Sequence, residues 1–476
     1  MSWRYKTKKK HLIIIGVIIL GAVTILGLYQ TFALSGDITK DTSGYYNVTV
    51  NDGTTVNVPA NSSKTVYYKL TNANKGTVKY GVGYSGSNIT VRYYSDTQDP
   101  VTGTVDYGKS KFIKLYIQNT GSTASTATLS TILGYEKGGD LIVPSGVTLV
   151  TESYTEPVNA VTLITNLYNN ATKTPVTNNS ITYQYDTTNS LMKDVGDNIR
   201  YYGASPNNYI YFNCSDYSNQ SSSTCETWRI IGVFEGKVKL IRGSQIGSYS
   251  WDNKNTSTGA ESGAGKNDWT DARLMKLLNP GYESETTGGS LYYNSGSGNC
   301  YSGQNNATTT CNFTSTGIKN DITRGLISNT TYYLGGWNTA KVYPNEIYEK
   351  ERGTTVYTRR PTIWQGKIAL PYPSDYGYAV DLGKCTKQLG NYDNSTCTSN
   401  NWMEEIITNY ESNDGWLLTH DTTNSSVASF VSSSGFVYGN SLVFGAYGVV
   451  PVLCLNSELS IKSGAGSNSD PYQLDV

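Results

Sequence analysis

Along much of this chain apolar residues recur at every second position. Val78, Tyr80, Val82 and Tyr84 alternate with Lys79, Gly81 and Gly83, and Ile113, Leu115 and Ile117 alternate with Lys114 and Tyr116. Successive side chains of a strand point to opposite faces, so this period predicts strands with one face buried. Segments of similar character at Tyr45–Val50, Thr54–Val58, Lys64–Leu70, Asn88–Tyr93 and Ala127–Gly134 are separated by turns rich in Asn, Ser and Gly. Seven short strands within residues 42–138 give the profile of an immunoglobulin-like β-sandwich, here with no cysteine to bridge its sheets. The segment holds no histidine and no dense carboxylate cluster, which suits a spacer better than an enzyme.

The pattern weakens over residues 139–197. Pro144, Pro157 and Pro175 punctuate short apolar stretches, polar runs such as Asn178-Asn179-Ser180 follow, and we read a linker with one short amphipathic helix near Val158–Leu167. From Asn198 onward both periods appear. Trp228–Ile241 (WRIIGVFEGKVKLI) is two apolar runs around Glu235-Gly236, hence a β-hairpin. Asp268 caps a helical stripe of Trp269, Leu274, Leu277 and Leu278 that Pro280-Gly281 ends, and a second short helix is expected at Ile318–Ile327. Strands are expected at Gly415–Leu418, Val427–Val431, Phe436–Tyr438, Val443–Phe444 and Val449–Leu455. Residues 198–476 thus read as an α+β head in which strands dominate.

One segment breaks both periods. Leu12–Tyr29 is an uncharged apolar run about long enough to cross a bilayer as a helix, and Arg4, Lys6, Lys8, Lys9 and Lys10 precede it. Residues 1–34 therefore read as a cytoplasmic basic segment and a single-pass anchor, with everything beyond about Ser35 outside the cell. The rival reading is a secretory signal cleaved after Thr31-Phe32-Ala33. The 37 Lys and Arg of the chain equal its 37 Asp and Glu, so with five cations ahead of the run the remainder is mildly acidic. Such a surface gives no reason to bind nucleic acid, whose phosphates demand clustered cations.

Composition sharpens the compartment. The seven cysteines all fall after residue 200, as close pairs Cys214 and Cys225, Cys300 and Cys311, Cys385 and Cys397, and a lone Cys454. Three pairs with ten or eleven residues between their members, in Asn-, Ser- and Thr-rich sequence, read as local disulfides, which persist only where the compartment is oxidising. Cys454 lies in an apolar run and reads as a small hydrophobe. The chain has 40 Tyr against 8 Phe, and a phenol suits thin β-domains because its ring is buried while its hydroxyl reaches a polar partner.

Several stretches of the head carry a resemblance: WRIIGVFEGKVKLI, NDWTDARLMKLLNPGY (Asn267–Tyr282), RPTIWQGKIALPYPSDYGYA (Arg360–Ala379), WLLTH (Trp416–His420), YGVVPVLCLNS (Tyr447–Ser457) and GAGSNSDPYQL (Gly464–Leu474). Together they resemble an uncharacterised family of anchored surface domains from Gram-positive-type bacteria. The order of the elements is similar to the formylglycine-generating-enzyme branch of C-type-lectin-like folds. The resemblance implies a C-type-lectin-like head on a bacterial surface. The chain departs from it at Val450, where members usually have Arg, and at His420, where many have Pro.

Little in the residues points to catalysis. His420 is the one histidine beyond the apolar run, and no Gly-x-Ser-x-Gly elbow frames a nucleophile for it. The spacing of the cysteine pairs suits staples, not the reactive thiols of formylglycine-generating enzymes. Asp375, Asp381, Asn267-Asp268 and Asn413-Asp414 offer oxygen ligands of the type calcium takes, without the spacing of a dedicated loop. We assign no cofactor and no metal. Aromatic residues carry the best binding signal, since Trp and Tyr rings stack on sugars and anchor peptides. Among Trp337, Trp364, Tyr372, Tyr376, Tyr378, Trp402 and Trp416, the stretch Arg359–Tyr378 stands out as a proline-stiffened loop. Its candidate ligand-binding residues are Arg359, Arg360, Trp364, Asp375, Tyr376 and Tyr378. The sequence thus describes a mostly β, membrane-anchored surface protein with a non-catalytic head for glycan, cell wall or another protein. The alternative is an extracellular enzyme of formylglycine-generating or glycan-modifying type, with Glu404, Glu405 and Asp375 as acid and base.

Overall fold

In a computed structural model of the chain, the described residues are 33–38, 55–72, 76–95, 99–133, 141–338, 341–409 and 413–476. The apolar run Leu12–Tyr29 and the strand expected at Tyr45–Val50 lie outside them. Among the described residues no helix is long and apolar enough to cross a membrane. Strands dominate, mostly in antiparallel sheets, in two compact units, Met1–Glu156 and Pro157–Val476.

The first unit is a two-sheet sandwich. One sheet runs in the order Ala33–Ile38, Ser62–Asn72, Ser110–Asn119, Ile89–Tyr94 and Ser153–Tyr154. The other runs Thr55–Val58, Ser125–Leu133, Val78–Ser85 and Thr102–Val105, with Thr148–Leu149 paired to Val78–Ser85. The alternating positions become its core: Tyr68, Leu70, Ile113, Leu115 and Ile117 from one sheet meet Val58, Val78, Tyr80, Val82 and Leu129 from the other. Each such buried side chain contributes roughly 1.5–3 kcal/mol relative to exposure. Tyr explains itself here, because the buried Tyr68 ring sends its hydroxyl across the sandwich to Thr131 Oγ1 at 2.6 Å.

The expected linker at 139–197 is not a linker. Val150 is buried in the sandwich core and its N–H bonds to Val82 O, so the stretch up to residue 156 completes the first unit. Two-residue strands are too short to show a period, which is why the sequence pattern lost them. Residues 157–197 begin the second unit. Helix α1 (Ala160–Asn170) is capped by Asn159, whose Oδ1 accepts from Thr162 N at 3.1 Å, and it buries Ala160, Ile164 and Tyr168 at a spacing of four.

Behind α1 lies a nine-stranded sheet. Its order is Thr174–Asn178, Ile181–Asp186, Leu191–Lys193, Ile199–Tyr201, Glu226–Phe234, Lys237–Arg242, Val452–Cys454 and Ile368–Ala369, with Tyr209–Phe212 also on Glu226–Phe234. The expected hairpin is at its centre, turning at Glu235 (φ 49°) and Gly236 (φ 72°), the backbone that a two-residue I′ turn requires. Both faces are covered: Trp228, Ile230 and Leu240 join one hydrophobic cluster and Ile231, Phe234 and Ile241 another, so these strands read as continuous apolar runs. A bulge between Ile230 and Gly232 shifts the register, and a Cβ at Gly232 would stand 2.0 Å from Ile199 O.

Shorter helices follow in this unit: α2 (Arg273–Leu278), α3 (Asp321–Leu326), α4 (Pro344–Glu351), α5 (Pro373–Ala379) and α6 (Glu404–Thr408). The stripe of Leu274, Leu277 and Leu278 is buried as expected, after a 3-10 turn that Asp268 caps. A five-stranded sheet (Ser248–Ser250, Ala446–Gly448, Gly415–His420, Val427–Val431, Val437–Leu442) completes the unit. Cys214–Cys225, Cys300–Cys311 and Cys385–Cys397 are disulfides, and Cys454 is free and buried. These are the bonds of an extracellular or secreted protein.

Candidate functional site

The stretch Arg359–Tyr378 does not converge on one surface. Pro373 at the first turn fixes φ, and Asp375 Oδ2 accepts from Tyr372 N at 3.0 Å, so the end of the expected loop is helix α5. Tyr376 and Tyr378 are fully buried there and offer no ring face to a ligand. The Tyr376 hydroxyl donates to Gly435 O at 3.0 Å. Arg360 is buried and forks onto Glu261 at 2.8 and 3.0 Å, while its neighbour Arg359 is exposed at φ 68°. Trp364 is half-buried, edge-on to Trp269 and beside Tyr332, its partner on the neighbouring strand. Trp337, Tyr372 and Trp416 are core residues as well.

Asp375 belongs to a buried chain of alternating charge. Arg200 donates from Nε to Asp194 Oδ2 at 2.5 Å and from Nη1 to Asp375 Oδ1 at 2.9 Å, and Lys239 Nζ donates to Asp375 Oδ2 at 2.5 Å. Burial pushes the Asp375 carboxyl up, but Lys239, Arg200 and the Tyr372 N–H more than offset it and hold it below its usual range. Its oxygens are therefore spent on the fold. Glu351 lies nearby, held by Ser374 N at 2.8 Å, and burial lifts it to about 7 against the pull of Arg352 and Ser374. A neighbouring cavity of about 50 Å³, lined in part by Lys239, Arg352, Tyr372 and Cys454, has room for only a few waters. Burial raises the Cys454 thiol, with Lys239 only partly opposing it, so it is a poor nucleophile. His420 is also buried: its Nε2 accepts from Tyr357 N at 3.3 Å, and burial, helped by Arg360, lowers it to about 4. Among the described residues no hydroxyl donates to it.

The open site lies elsewhere. A polar cleft of about 440 Å³ is lined by Ser205, Tyr209, Arg229, Asn394, Ser399, Asn401, Trp402, Glu404 and Glu405 among others, a size that fits a small ligand. The sheet places one wall: Tyr209 is the cross-strand partner of Arg229, and its ring stacks on the guanidinium at 3.7 Å. Trp402, itself only 3% exposed, lies against the guanidinium at 4.9 Å and is pinned by its Nε1 donating to Tyr201 O at 3.0 Å. The facing wall hangs on the Cys385–Cys397 staple. Asp393 there turns the chain by accepting from Thr396 N at 2.8 Å, and Asn401 donates to Tyr376 O at 2.9 Å. Tyr376 thus supports the wall from behind instead of touching a ligand. Glu404 is buried with Oε1 accepting from Thr408 Oγ1 at 2.8 Å, whereas Glu405 is exposed at the lip.

Sequence reasoning had singled out Trp402, Glu404 and Glu405 but not Arg229. Its signal was a lone cation inside the apolar run WRIIGVF, passed over as part of a hairpin. No protein-family model matches this chain, and no curated protein matches it either.

Proposed function

We propose that the chain is a membrane-anchored cell-surface protein in which an immunoglobulin-like stalk presents a C-type-lectin-like head that binds glycan or cell-wall material. In this reading Leu12–Tyr29 is the anchor, the first unit the stalk and the second unit the head. The observation that carries it is the Arg229–Trp402 cleft: it is open, polar, edged by the partly exposed Tyr209 ring and held by a disulfide, so its shape is set before a ligand arrives. A preformed site loses little ordering entropy on binding. The three disulfides support the extracellular setting. A glycan array probed with the protein and with a cleft-filling Ser205→Tyr variant tests it. Exposed Ser205 tolerates a larger side chain, so the variant should keep its melting temperature and lose the signals of the wild type; unchanged signals would refute the cleft as the site.

A further inference from the structure

Four arginines are buried among the described residues. Three have a carboxylate: Arg200 pairs with Asp194 and Asp375, Arg242 with Glu226 at 3.0 Å, and Arg360 with Glu261 at 2.8 Å. Arg229 is the exception. Only 7% of it is exposed, yet no Asp or Glu among the described residues forms an ion pair with it. Its Nε donates to Asn208 Oδ1 at 2.5 Å and its Nη2 to Pro206 O at 3.3 Å, both neutral acceptors. The remaining nitrogen, Nη1, makes no hydrogen bond within the described protein. The guanidinium thus lies against two rings, is fixed by two bonds, and lines an open cleft without an ion pair. Burial draws it down to about 10, with Tyr209 and Glu405 only partly restoring it.

A buried cation without a partner is costly unless something neutralises it. Fixing the guanidinium in advance is how a protein presents an anion site, because the fork loses no further rotamer freedom when the anion arrives. The other charges on the cleft limit which anion fits. Glu404 and Glu405 line the same space, so a polyanion would meet repulsion that one small carboxylate can avoid. The hydroxyls and amides of Ser205, Asn394 and Ser399 suit a ligand that is otherwise neutral and rich in hydrogen-bonding groups.

We infer that the cleft takes its ligand by a single carboxylate bound to Arg229, on an otherwise neutral, polar molecule. This rests on the cleft being a binding site, as proposed above. Two sources share that chemistry, an acidic sugar and the C-terminus of a short peptide. The experiment measures binding of two matched pairs by calorimetry: glucuronic acid against its methyl ester, and N-acetyl-alanyl-alanine against its C-terminal amide. The charged member of one pair should bind about 10- to 100-fold more tightly than its neutral partner, as expected for a charge-assisted hydrogen bond, and the pair that shows it names the source. Arg229→Gln should abolish that preference. Arg229→Lys, which keeps the charge but not the fork, should retain a weakened one, and it serves if the Gln variant does not fold. Equal binding of charged and neutral members by the wild type, or a preference for the charged member that survives in Arg229→Gln, overturns the inference while leaving the cleft as a site. If no probe binds while cell-wall material still binds in a manner that Ser205→Tyr blocks, the carboxylate is likewise ruled out.

Discussion

Replacing Asp375 by Ala removes the carboxylate that joins Arg200 to Lys239 at the centre of the second unit. Arg200 keeps Asp194, but Lys239 is only 4% exposed and loses its one ion-pair partner among the described residues. Breaking a buried pair from one side costs about 3–5 kcal/mol, since an uncompensated charge remains in the interior. Loss of the bond from Tyr372 N at the start of α5 adds about 1 kcal/mol. Part of this returns as pH rises, because burial already draws Lys239 down from 10.5 and the variant lysine can shed its proton. The assay is urea unfolding followed by tryptophan fluorescence: all tryptophans except Trp3 lie in the second unit, so the signal is dominated by that unit. The double variant Asp375→Ala/Lys239→Met should recover roughly half of the loss by removing the stranded cation. A single-variant loss below about 1 kcal/mol, or no recovery in the double variant, would refute a dry, fully charged chain.

Other outcomes follow from the same geometry. Glu351 sits at about 7 in the folded protein against 4.5 when exposed, so the folded state binds the extra proton between those values and stability falls as pH rises through that window. His420, at about 4 against 6.5, acts in the opposite sense, so Glu351→Gln should make the slope of stability against pH between 4.5 and 6.5 more positive than in the wild type; an unchanged slope would contradict this. Gly232→Ala should destabilise by more than about 2 kcal/mol because its Cβ meets the Ile199 carbonyl, measured by the same urea midpoint. Mass mapping of the unreduced protein should find the three local crosslinks, with Cys454 alkylated only after denaturation.

What the sequence revealed depended on how local the cause was. The alternation at Val78–Tyr84 and Ile113–Ile117 gave strands because one face is buried, and Glu235-Gly236 gave a turn because the backbone there needs positive φ. Close cysteine pairs gave their own bonding. The strands Thr148–Leu149 and Ser153–Tyr154 were lost because they are two residues long and gain their stability from distant partners such as Val78–Ser85 and Ile89–Tyr94. The site was misread for a related reason. Tyr376, Tyr378 and Asp375 look like ligand residues in a proline-rich stretch, but whether a ring or carboxylate faces solvent is decided by Arg200, Lys239 and Gly435, far away in sequence. Arg229 was invisible as a site because its meaning lies in the carboxylate it lacks.

The most direct test of a binding head is sedimentation with purified bacterial cell-wall material. Wild type and Ser205→Tyr would be compared at matched melting temperature, with Arg359→Ala as a control on an exposed residue outside the cleft. The wild type and Arg359→Ala should pellet with the wall while Ser205→Tyr stays in solution. Equal pelleting of all three, or none, would contradict the account.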